Sequence, residues 1–283
     1  MLVLKIGGAA GVESRTVLDD LARLVSHGRQ AVLVHGGSHA ANQLGEALGH
    51  PPRFVTSVSG HTSRLTDERT LEIFLMATAL VNRRLVAGLQ ARGVNAVGLS
   101  GIDGALLPTQ RKEVLRIVEN GRSRIVRDDR TGRPTGANAM LLRTLLGAGY
   151  LPVIAPVGLS SRGEPLNVDG DRAAAAVAGA LGATTLVLLT AVPGVLRAFP
   201  DEASLIRHVP VEGLHELAEL AGGRMKKKVL GAREALRAGV RRVVIAGTTG
   251  ETPLRDALAG RGTVIGAPPD ATAPPEPMAP LRS

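Results

Sequence analysis

Two pairs of glycines close the first two apolar stretches of the chain and could bind an anion. Gly7-Gly8 follows the first stretch, and Gly36-Gly37 follows the second. Glycine at a strand-to-helix turn lets backbone N–H groups approach a phosphate closely, and the helix that follows adds the partial positive charge of its N-terminus. Ordinary tight turns between a strand and a helix give the same pattern, so the glycines alone leave both interpretations open.

Lys5 stands just before the first glycine pair, inside an otherwise apolar segment. A lysine in such a place is costly unless its ammonium reaches an anion. Only five of the 34 basic residues are lysines, and a lysine retained in a chain that prefers arginine indicates a need for a compact, mobile point charge. We therefore expect Lys5 to meet an anion at the carboxyl end of its strand, where ligands bind in open α/β sheets.

Three further lysines, Lys226 to Lys228, open a predicted helix at 226–239. Cations at a helix N-terminus oppose the macrodipole by up to about 1 kcal/mol each, so three in succession need an anion or solvent to offset them. A bound nucleotide would explain at least one of them, and the others could simply be solvated.

Asn167, Asp169 and Asp171 precede an alanine-rich helical segment at 170–182. The two aspartates could hold Mg²⁺ or orient lysines, and the asparagine could donate to a carboxylate. Helix capping and turn formation use the same residue types, so this segment alone does not decide between the two roles.

Other phosphate-binding and metal-binding patterns are missing from the sequence. It contains no GxxxxGK[ST] loop, and no GxGxxG follows a predicted strand, which disfavours Walker-type and dinucleotide-binding folds. His35 and His39 are separated by a strand end and a glycine pair, so they lack the helical spacing of a metal-binding pair. We predict no metal site formed by the protein alone.

Short apolar runs alternate with amphipathic stretches along the chain, which is typical of βαβ units. Several runs are nearly unbroken Val, Ile and Leu, as expected for strands buried on both faces of a parallel sheet. The predicted strands are 2–6, 31–34, 94–98, 151–155, 185–189 and 242–246, and the predicted helices are 14–28, 39–48, 67–92, 136–148, 170–182, 210–221 and 226–239. Asp67 and Thr135 are expected to cap two of these helices. The pattern predicts an α/β protein, a three-layer αβα sandwich with a largely parallel central sheet.

The chain is expected to divide into two lobes and a tail. An acceptor-binding lobe is predicted at 1–160, with a homodimer contact on the helix at 67–92, and an ATP-binding lobe at 161–266. The tail at 267–283 is rich in Pro and Ala and is predicted to be disordered.

Residues 103–133 depart from the βαβ rhythm and are predicted to form a β-hairpin excursion on the sheet. Asn120-Gly121 is the strongest kind of short hairpin signal. Eight Arg or Lys residues and four acidic residues lie between Arg111 and Arg133. A solvated hairpin face and a docking surface for an acidic partner are both compatible with this charge.

The composition excludes several classes of function. A net charge of +9 would suit nucleic acid, an anionic membrane or an acidic protein. Three Phe, one Tyr and no Trp give no stacking platform, so we expect no nucleic-acid partner. The opening apolar segment is too short to span a membrane, and no membrane role is expected. The absence of cysteine excludes disulfides and thiolate metal sites and fits a cytoplasmic location.

Five motifs, in chain order, resemble the amino-acid kinase superfamily and specifically its N-acetylglutamate kinase branch. They are Lys5-x-Gly-Gly, His35-Gly-Gly, Ser63-Arg64-Leu65-Thr66-Asp67, Asn167-x-Asp-Gly-Asp171 and Met225-x-x-Lys228-Val229. The stretches at 49–54, 63–74, 95–104, 118–121 and 200–205 resemble the carrier-protein-dependent aminoadipate kinases of lysine biosynthesis. The acceptor of those kinases is α-aminoadipate joined through its amine to the C-terminal Glu of LysW, a small acidic carrier protein.

The resemblance implies a role for each matched residue. Lys5 and Lys228 would stabilise the charge of the transferring phosphoryl group of ATP, and Asp171 would position both lysines. Substrate binding is implied for Gly36, Gly37, Arg64 and Asn167, and nucleotide binding for Gly7, Gly8, Thr190, Gly194 and Lys226. The acceptor carboxylate has a pKa near ~4 and is ionised at neutral pH, so no general base is needed. Mg²⁺ would be held mostly by the phosphates and water.

The carrier gives the basic hairpin a specific role. Arg116, Arg122 and Arg124 would dock the acidic carrier and present its modified terminus to Arg64. Three alternatives stay open. A free N-acetylglutamate kinase, or a kinase of carrier-bound glutamate, would share every phosphoryl-handling residue, and Ser38, where acetylglutamate enzymes usually have glycine, puts the free substrate in doubt. A uridylate or carbamate kinase would share the fold, and a non-catalytic regulator could bind an acidic protein.

Overall fold

The central sheet runs through the whole molecule and contains eight strands. The computed structural model describes residues 1–8, 15–58, 60, 62–119 and 122–268. From one edge to the other, the strands are β14 (His208–Val209), β16 (Thr263–Gly266), β15 (Arg242–Gly247), β13 (Thr185–Thr190), β1 (Leu2–Ile6), β2 (Ala31–His35), β10 (Leu151–Ala155) and β5 (Ala96–Ser100). All neighbours pair in parallel except β15 and β16. The largely parallel sheet is thereby confirmed.

Helices cover both faces of this sheet, which confirms the three-layer sandwich. They are α1 (Arg15–Ser26), α2 (Ser38–Ala47), α3 (Glu68–Gln90), α4 (Ala139–Gly147), α5 (Gly170–Leu181), α6 (Leu214–Leu220), α7 (Gly223–Arg237) and α8 (Pro253–Leu258). One core packs α4, α5, α6 and α7 on one face of the sheet, and a second packs α1, α3 and α8 on the other. In the described ranges, no helix is long and apolar enough to cross a membrane.

Alternation along β1 decides which way Lys5 faces. Val3 belongs to the core on the α5 side, whereas Leu2, Leu4 and Ile6 belong to the core on the α1 side. Because successive side chains of a strand point to opposite faces, Lys5 shares the face of Val3 and points towards α5.

Two four-stranded sheets stand beside the central one. The first consists of β11 (Val157–Leu159), β12 (Pro165–Val168), β9 (Thr131–Pro134) and β6 (Thr109–Arg111), and the second of β4 (Thr62–Arg64), β3 (Phe54–Ser57), β7 (Leu115–Glu119) and β8 (Arg122–Val126). The antiparallel pair of β7 and β8 confirms the predicted hairpin. Its turn, Asn120-Gly121, lies outside the described residues, as do residues 269–283 of the predicted disordered tail.

Several predicted boundaries are wrong, and local hydrogen bonds explain two of them. Strand β5 begins at Ala96 rather than 94, because the Val94 N–H still bonds the Leu89 carbonyl at the end of α3. Thr135 does not cap a helix, since its hydroxyl donates to the Pro108 carbonyl. Asn138 caps α4 instead by accepting from the Leu141 N–H at 3.1 Å.

Asp67 caps α3 as predicted, because its side chain accepts from the Thr70 N–H at 2.8 Å.

Two further boundaries, at the starts of α6 and α7, differ from the prediction. The helix predicted at 210–221 starts with a separate 3-10 turn, and α6 begins only at Leu214. Helix α7 starts at Gly223, three residues earlier than predicted, so Lys226 to Lys228 lie about one turn inside the helix rather than at its first residues.

One buried carboxylate holds the C-terminal part of the chain against the first helix. Asp20 of α1 is fully buried, and its Oδ2 accepts from the Leu254 and Arg255 N–H groups at 2.9 and 2.7 Å. These donors belong to the first turn of α8, whose N–H groups have no partner within the helix.

Asp20→Ala is expected to lower the free energy of unfolding by about 3 kcal/mol, because it leaves one buried and one partly buried N–H group unpaired and removes two charge-assisted bonds. Asp19→Ala is the matched control, because Asp19 is the adjacent residue and makes only a partly exposed ion pair with Arg92. The control should cost less than about 1 kcal/mol. Urea unfolding followed by circular dichroism measures both variants, and equal losses would show that the α8 contact contributes nothing.

Candidate active site

A carboxylate between two lysines lies at the carboxyl end of the sheet. Asp171 Oδ1 is 2.7 Å from Lys5 Nζ, and both Asp171 oxygens are 3.1 Å from Lys228 Nζ. The three side chains are only 7–8% exposed. The structure therefore brings Lys5 into contact with Asp171 and Lys228, two residues that lie far from it in the chain.

Close packing of α5 on α7 makes this contact possible. Buried alanines line α5, and Gly231 of α7 faces Asp171 so closely that an added Cβ would lie 3.1 Å from its backbone. Lys228 stands three residues before Gly231, on the same side of α7, and so reaches the Asp171 carboxylate.

The pKa values of the three groups are shifted because one carboxylate interacts with two ammonium groups. Burial acts against the charge of all three. The two lysines nevertheless hold the pKa of Asp171 far below its usual range, and Asp171 raises the pKa of Lys5 despite the burial. Burial lowers the pKa of Lys228 to about 8, because the attraction of Asp171 is opposed by the charge of Lys5. The cluster carries a net positive charge when both lysines are protonated.

Asp169 and Asp171 have different roles, although the sequence placed them together. Asp169 caps α5, and its Oδ1 accepts from the Asp171 N–H at 3.0 Å and the Arg172 N–H at 3.2 Å. The cap fixes the first turn of α5 and so fixes where the Asp171 side chain begins. Both roles considered for this segment, helix capping and lysine orientation, are present on different residues.

The two glycine turns lie in direct backbone contact. A Cβ on Gly8 would stand 2.5 Å from the Gly37 nitrogen, and a Cβ on Gly36 would collide with the Gly8 backbone. The turns also exchange a hydrogen bond, from the His39 N–H to the Gly8 carbonyl at 2.8 Å. Gly7 closes β1 beside this contact. A side chain at Gly8 or Gly36 would separate the turns, so the pair requires glycine for a packing reason.

His35 and Asn82 support the second glycine turn, and the sequence analysis gave them no such role. The His35 Nδ1 is 2.9 Å from the Gly36 carbonyl, which can only accept, so the proton is on Nδ1. The Nε2 then accepts from the Asn82 amide at 3.1 Å, and this amide also donates to the Val153 carbonyl. Burial lowers the pKa of His35 to about 4, which keeps the ring neutral. Nothing in the local sequence around Asn82 predicts this link.

Arg64 and Asn167 are the two side chains that the sequence predicts to bind the substrate. Arg64 is 8% exposed, stacks on the Phe54 ring at 5.3 Å and donates to the Ser38 carbonyl and the Asn42 side chain at the start of α2. The Asn167 amide donates to the Thr66 hydroxyl at 3.0 Å. Thr66, two residues after Arg64, therefore joins the two predicted substrate-binding residues.

Asp129 fixes Thr66, and it was also missed. Its carboxylate is fully buried and accepts from the Thr66 N–H at 3.0 Å and from the Thr131 hydroxyl. The sequence shows only an Asp-Asp pair in a charged segment, which is typical of a solvated turn. The long-range contact that buries it leaves no local signal.

The predicted nucleotide-binding residues are more widely spread. Thr190 ends β13, while Gly194 packs against Leu205 and Thr263. Lys226 lines a cavity of about 150 Å³ between α6 and α7. Its Nζ is 3.7 Å from the position that a Gly60 Cβ would take.

 A second cavity, of about 270 Å³, lies between α3 and β5 and is lined by Thr78, Asn82 and Ser100. The structure thus places Lys226 beside the smaller cavity, close to the loop that follows β3.

The three arginines predicted to dock a carrier do not share one face. Arg116 pairs with Ile125 across β7 and β8, whereas Arg124 pairs with the buried Ile117. Opposite residues share a face and alternate along a strand, so Arg116 and Arg124 point to opposite faces of the hairpin. Arg124 is also bound to Glu119 at 2.8 Å. Of these two arginines, Arg116 has the more available charge.

No metal-binding cluster is present in the part of the chain that the structure describes. In the ranges given above, no group of three or more His, Asp or Glu side chains could hold an ion. Asp169 and Asp171 are both engaged, in the helix cap and with the lysines.

The family model of the amino acid kinase family matches residues 1–247. The chain belongs to the amino acid kinase family. Membership makes the protein a kinase, and it implies ATP as the phosphoryl donor. Its fold, with the mostly parallel central sheet, is the fold of this family.

Individual relatives agree with this assignment. The chain is 52% identical over 268 residues to the [LysW]-aminoadipate kinase of Thermus thermophilus, covering 94% of this chain and 100% of that protein. It is 41% identical over 268 residues to the acetylglutamate kinase of Methanopyrus kandleri, with the same coverage of both chains. The crystal structure of smu.665 from Streptococcus mutans gives a TM-score of 0.75 at 26% identity, covering 94% of this chain and 98% of that one.

The arrangement suits the transfer of a phosphoryl group between two anions. The two buried ammonium groups form a fixed positive region beside the glycine turns, and this region needs no reorganisation during the reaction. One carboxylate holds the lysines in place without neutralising both of them.

The pKa of Lys228 predicts a limit on activity at high pH. Its protonated form carries the charge, so kcat/KM for ATP should fall about tenfold per pH unit as the pH rises above about 8. Lys228→Arg should move this fall to higher pH even if it lowers the plateau, because an arginine stays protonated. Initial rates between about pH 6 and pH 10 measure both profiles, and a wild-type profile that stays flat to about pH 10 would contradict the assignment.

Proposed function

We propose that the protein transfers the γ-phosphoryl group of ATP to the side-chain carboxylate of α-aminoadipate that is joined through its amine to a small acidic, LysW-like carrier protein. The observation that carries the proposal is the 52% identity to a [LysW]-aminoadipate kinase along the whole of that protein. The Lys5–Asp171–Lys228 cluster beside the glycine turns supports the chemistry.

In this proposal Lys5 and Lys228 hold the oxygens of the transferring group, and Asp171 keeps both ammonium groups in position. The N–H groups of Gly8 and Gly37 bind the same phosphoryl oxygens and the acceptor, whereas the Gly36 N–H already donates to the Ile6 carbonyl at 3.0 Å and holds the second turn against β1. Because the acceptor is a carboxylate and already ionised, positioning and positive charge supply the catalysis. The neutral His35 stays a support of the turn and carries no proton in the reaction.

Arg64 and Asn167 bind the α-carboxylate of the acceptor in this proposal. Arg64 is buried and has a guanidinium fork suited to a carboxylate. Burial lowers its pKa, but an arginine remains charged at neutral pH. Binding would replace its bonds to Ser38 and Asn42 with stronger bonds to an anion.

The nucleotide enters from the side of β13 and α7, where Gly7, Thr190, Gly194 and Lys226 are proposed to meet it. Mg²⁺ supplies neutralisation of phosphate charge when it accompanies ATP. Since the described carboxylates form no metal cluster, the phosphates and water would be its main ligands.

The two lobes, the homodimer and the cytoplasmic location stay proposals. The boundary proposed near 160 falls between β11 and β12, which pair with each other. Exposed Met76 and Leu80 on α3, beside the edge strand β5, give the proposed homodimer an apolar contact. A cytoplasmic location suits a biosynthetic kinase that uses ATP.

The alternative acceptors can be separated by trapping the product. Acyl phosphates react with hydroxylamine to give hydroxamates, so we expect ATP-dependent hydroxamate with LysW-linked aminoadipate and little with free N-acetylglutamate. LysW-linked glutamate should give an intermediate rate, because one methylene is worth only about 1–3 kcal/mol. Lys5→Met is the control, and it should remove the signal with every acceptor.

Two results would overturn the proposal. Turnover of free N-acetylglutamate alone would make the protein an acetylglutamate kinase, as its Methanopyrus relative is named. Absence of hydroxamate with every acceptor, from folded protein, would favour the non-catalytic regulator.

Docking of the carrier should depend more on Arg116 than on Arg124. Arg116→Glu is expected to raise KM for the carrier-linked acceptor about tenfold at low salt with kcat nearly unchanged, because charges at the rim of an interface act mainly on association. Arg124→Glu should have a smaller effect, since Arg124 is already paired with Glu119. Arg237→Glu, at the far end of α7, is the control. Unchanged carrier kinetics in Arg116→Glu at low salt would remove the hairpin from the docking surface.

A further inference from the structure

Lys112, like Lys227, is a lysine to which the sequence analysis gave no role of its own, and the structure places it beside the site. It follows β6, and its charge interacts with Lys227 of α7 and with Asp169, the cap of α5. All five lysines of a chain that otherwise uses arginine therefore gather at one end of the fold.

The register of the small sheet places Lys112 on the acceptor side. The Lys112 N–H donates to the Thr131 carbonyl at 3.0 Å, and Thr131 stands opposite Asn167 in the pairing of β9 with β12. The three residues thus form a row across neighbouring strands, with their side chains on one face. Strand spacing puts the Lys112 backbone about 10 Å from that of Asn167.

Lys112 has no counter-ion in the part of the chain that the structure describes, since no carboxylate lies within ion-pair distance. The two acids that act on it are engaged: Asp129 accepts from Thr66 and Thr131, and Asp169 caps α5. Partial burial, together with the charges of Arg172 and Lys227, lowers the pKa of Lys112. An anion bound at this point would relieve that unfavourable environment.

Lys112 is not part of the catalytic cluster. In the described ranges, no ion pair or hydrogen bond joins its side chain to Lys5, Asp171 or Lys228, which contact one another. Strand β7 of the basic hairpin begins three residues later, at Leu115. Lys112 is thus joined along the chain to the hairpin and across the small sheet to Asn167, which is proposed to bind the acceptor.

We propose that Lys112 binds a carboxylate of the carrier chain next to its link with the acceptor. The inference rests on the carrier-linked acceptor proposed above. Lys112 would then be a specificity residue, which distinguishes a protein-linked acceptor from a small N-acylated one.

The test compares Lys112→Met and Lys112→Arg with the wild type. With LysW-linked aminoadipate, Lys112→Met is expected to raise KM about tenfold or more, the effect of losing one bond between charged groups. The kcat and the KM for ATP should stay within about twofold, and Lys112→Arg should recover most of the loss. With N-acetyl-aminoadipate as acceptor, the rates of all three proteins should agree. Arg237→Gln removes one charge far from the site and is the control.

Each other result overturns the inference. An unchanged KM for the carrier-linked acceptor would make Lys112 a solvated lysine, and a raised KM for ATP would place it on the nucleotide. An equal loss with the small acceptor would assign it to a part of the acceptor common to both substrates. If the wild type fails to phosphorylate the carrier-linked acceptor, the proposed function itself fails, and this is seen before any variant is measured.

Discussion

The structure depends on one buried carboxylate shared by two lysines. Two ammonium groups could not be buried side by side without an anion, because burial and mutual repulsion both act against their charge. Asp171 supplies one negative charge for two positive ones, so the cluster keeps an excess positive charge. An excess positive charge suits the binding of a negatively charged phosphoryl group. Such a ligand would offset the one positive charge that Asp171 leaves unpaired.

Holding this cluster sets demands on the rest of the fold. Lys5 must come from the strand and Lys228 from a helix on the same face, so β1, α5 and α7 have to meet at the carboxyl edge of the sheet. Gly231 and the alanines of α5 allow the two helices to approach closely enough. The glycine turns also depend on close approach, because the backbones of Gly8 and Gly36 can touch only when neither residue has a side chain.

The sequence predicted the parts of the site whose signals are local. A lysine in an apolar strand, paired glycines after strands and alternating βαβ periodicity each have a direct physical cause, so the layers, the sheet and the cluster residues could be inferred. Asn82 and Asp129 could not, because their partners lie far away in the chain and a buried polar residue looks like a solvated one in sequence. The start of α7 was missed for another reason: Gly222 and Gly223 look like a loop, and tertiary contacts with α5 override that weak preference.

Charge in the sequence indicated a partner but not the surface that meets it. Arg116 and Arg124 contribute equally to the count, yet register puts them on opposite faces, and Glu119 already engages Arg124. The positions of the lysines give information that the number of basic residues does not. Arginine forms most of the surface ion pairs, where its fork suits a fixed carboxylate, whereas Lys5 and Lys228 share one buried carboxylate. The role proposed for Lys112 extends this contrast to an anion that arrives with the acceptor.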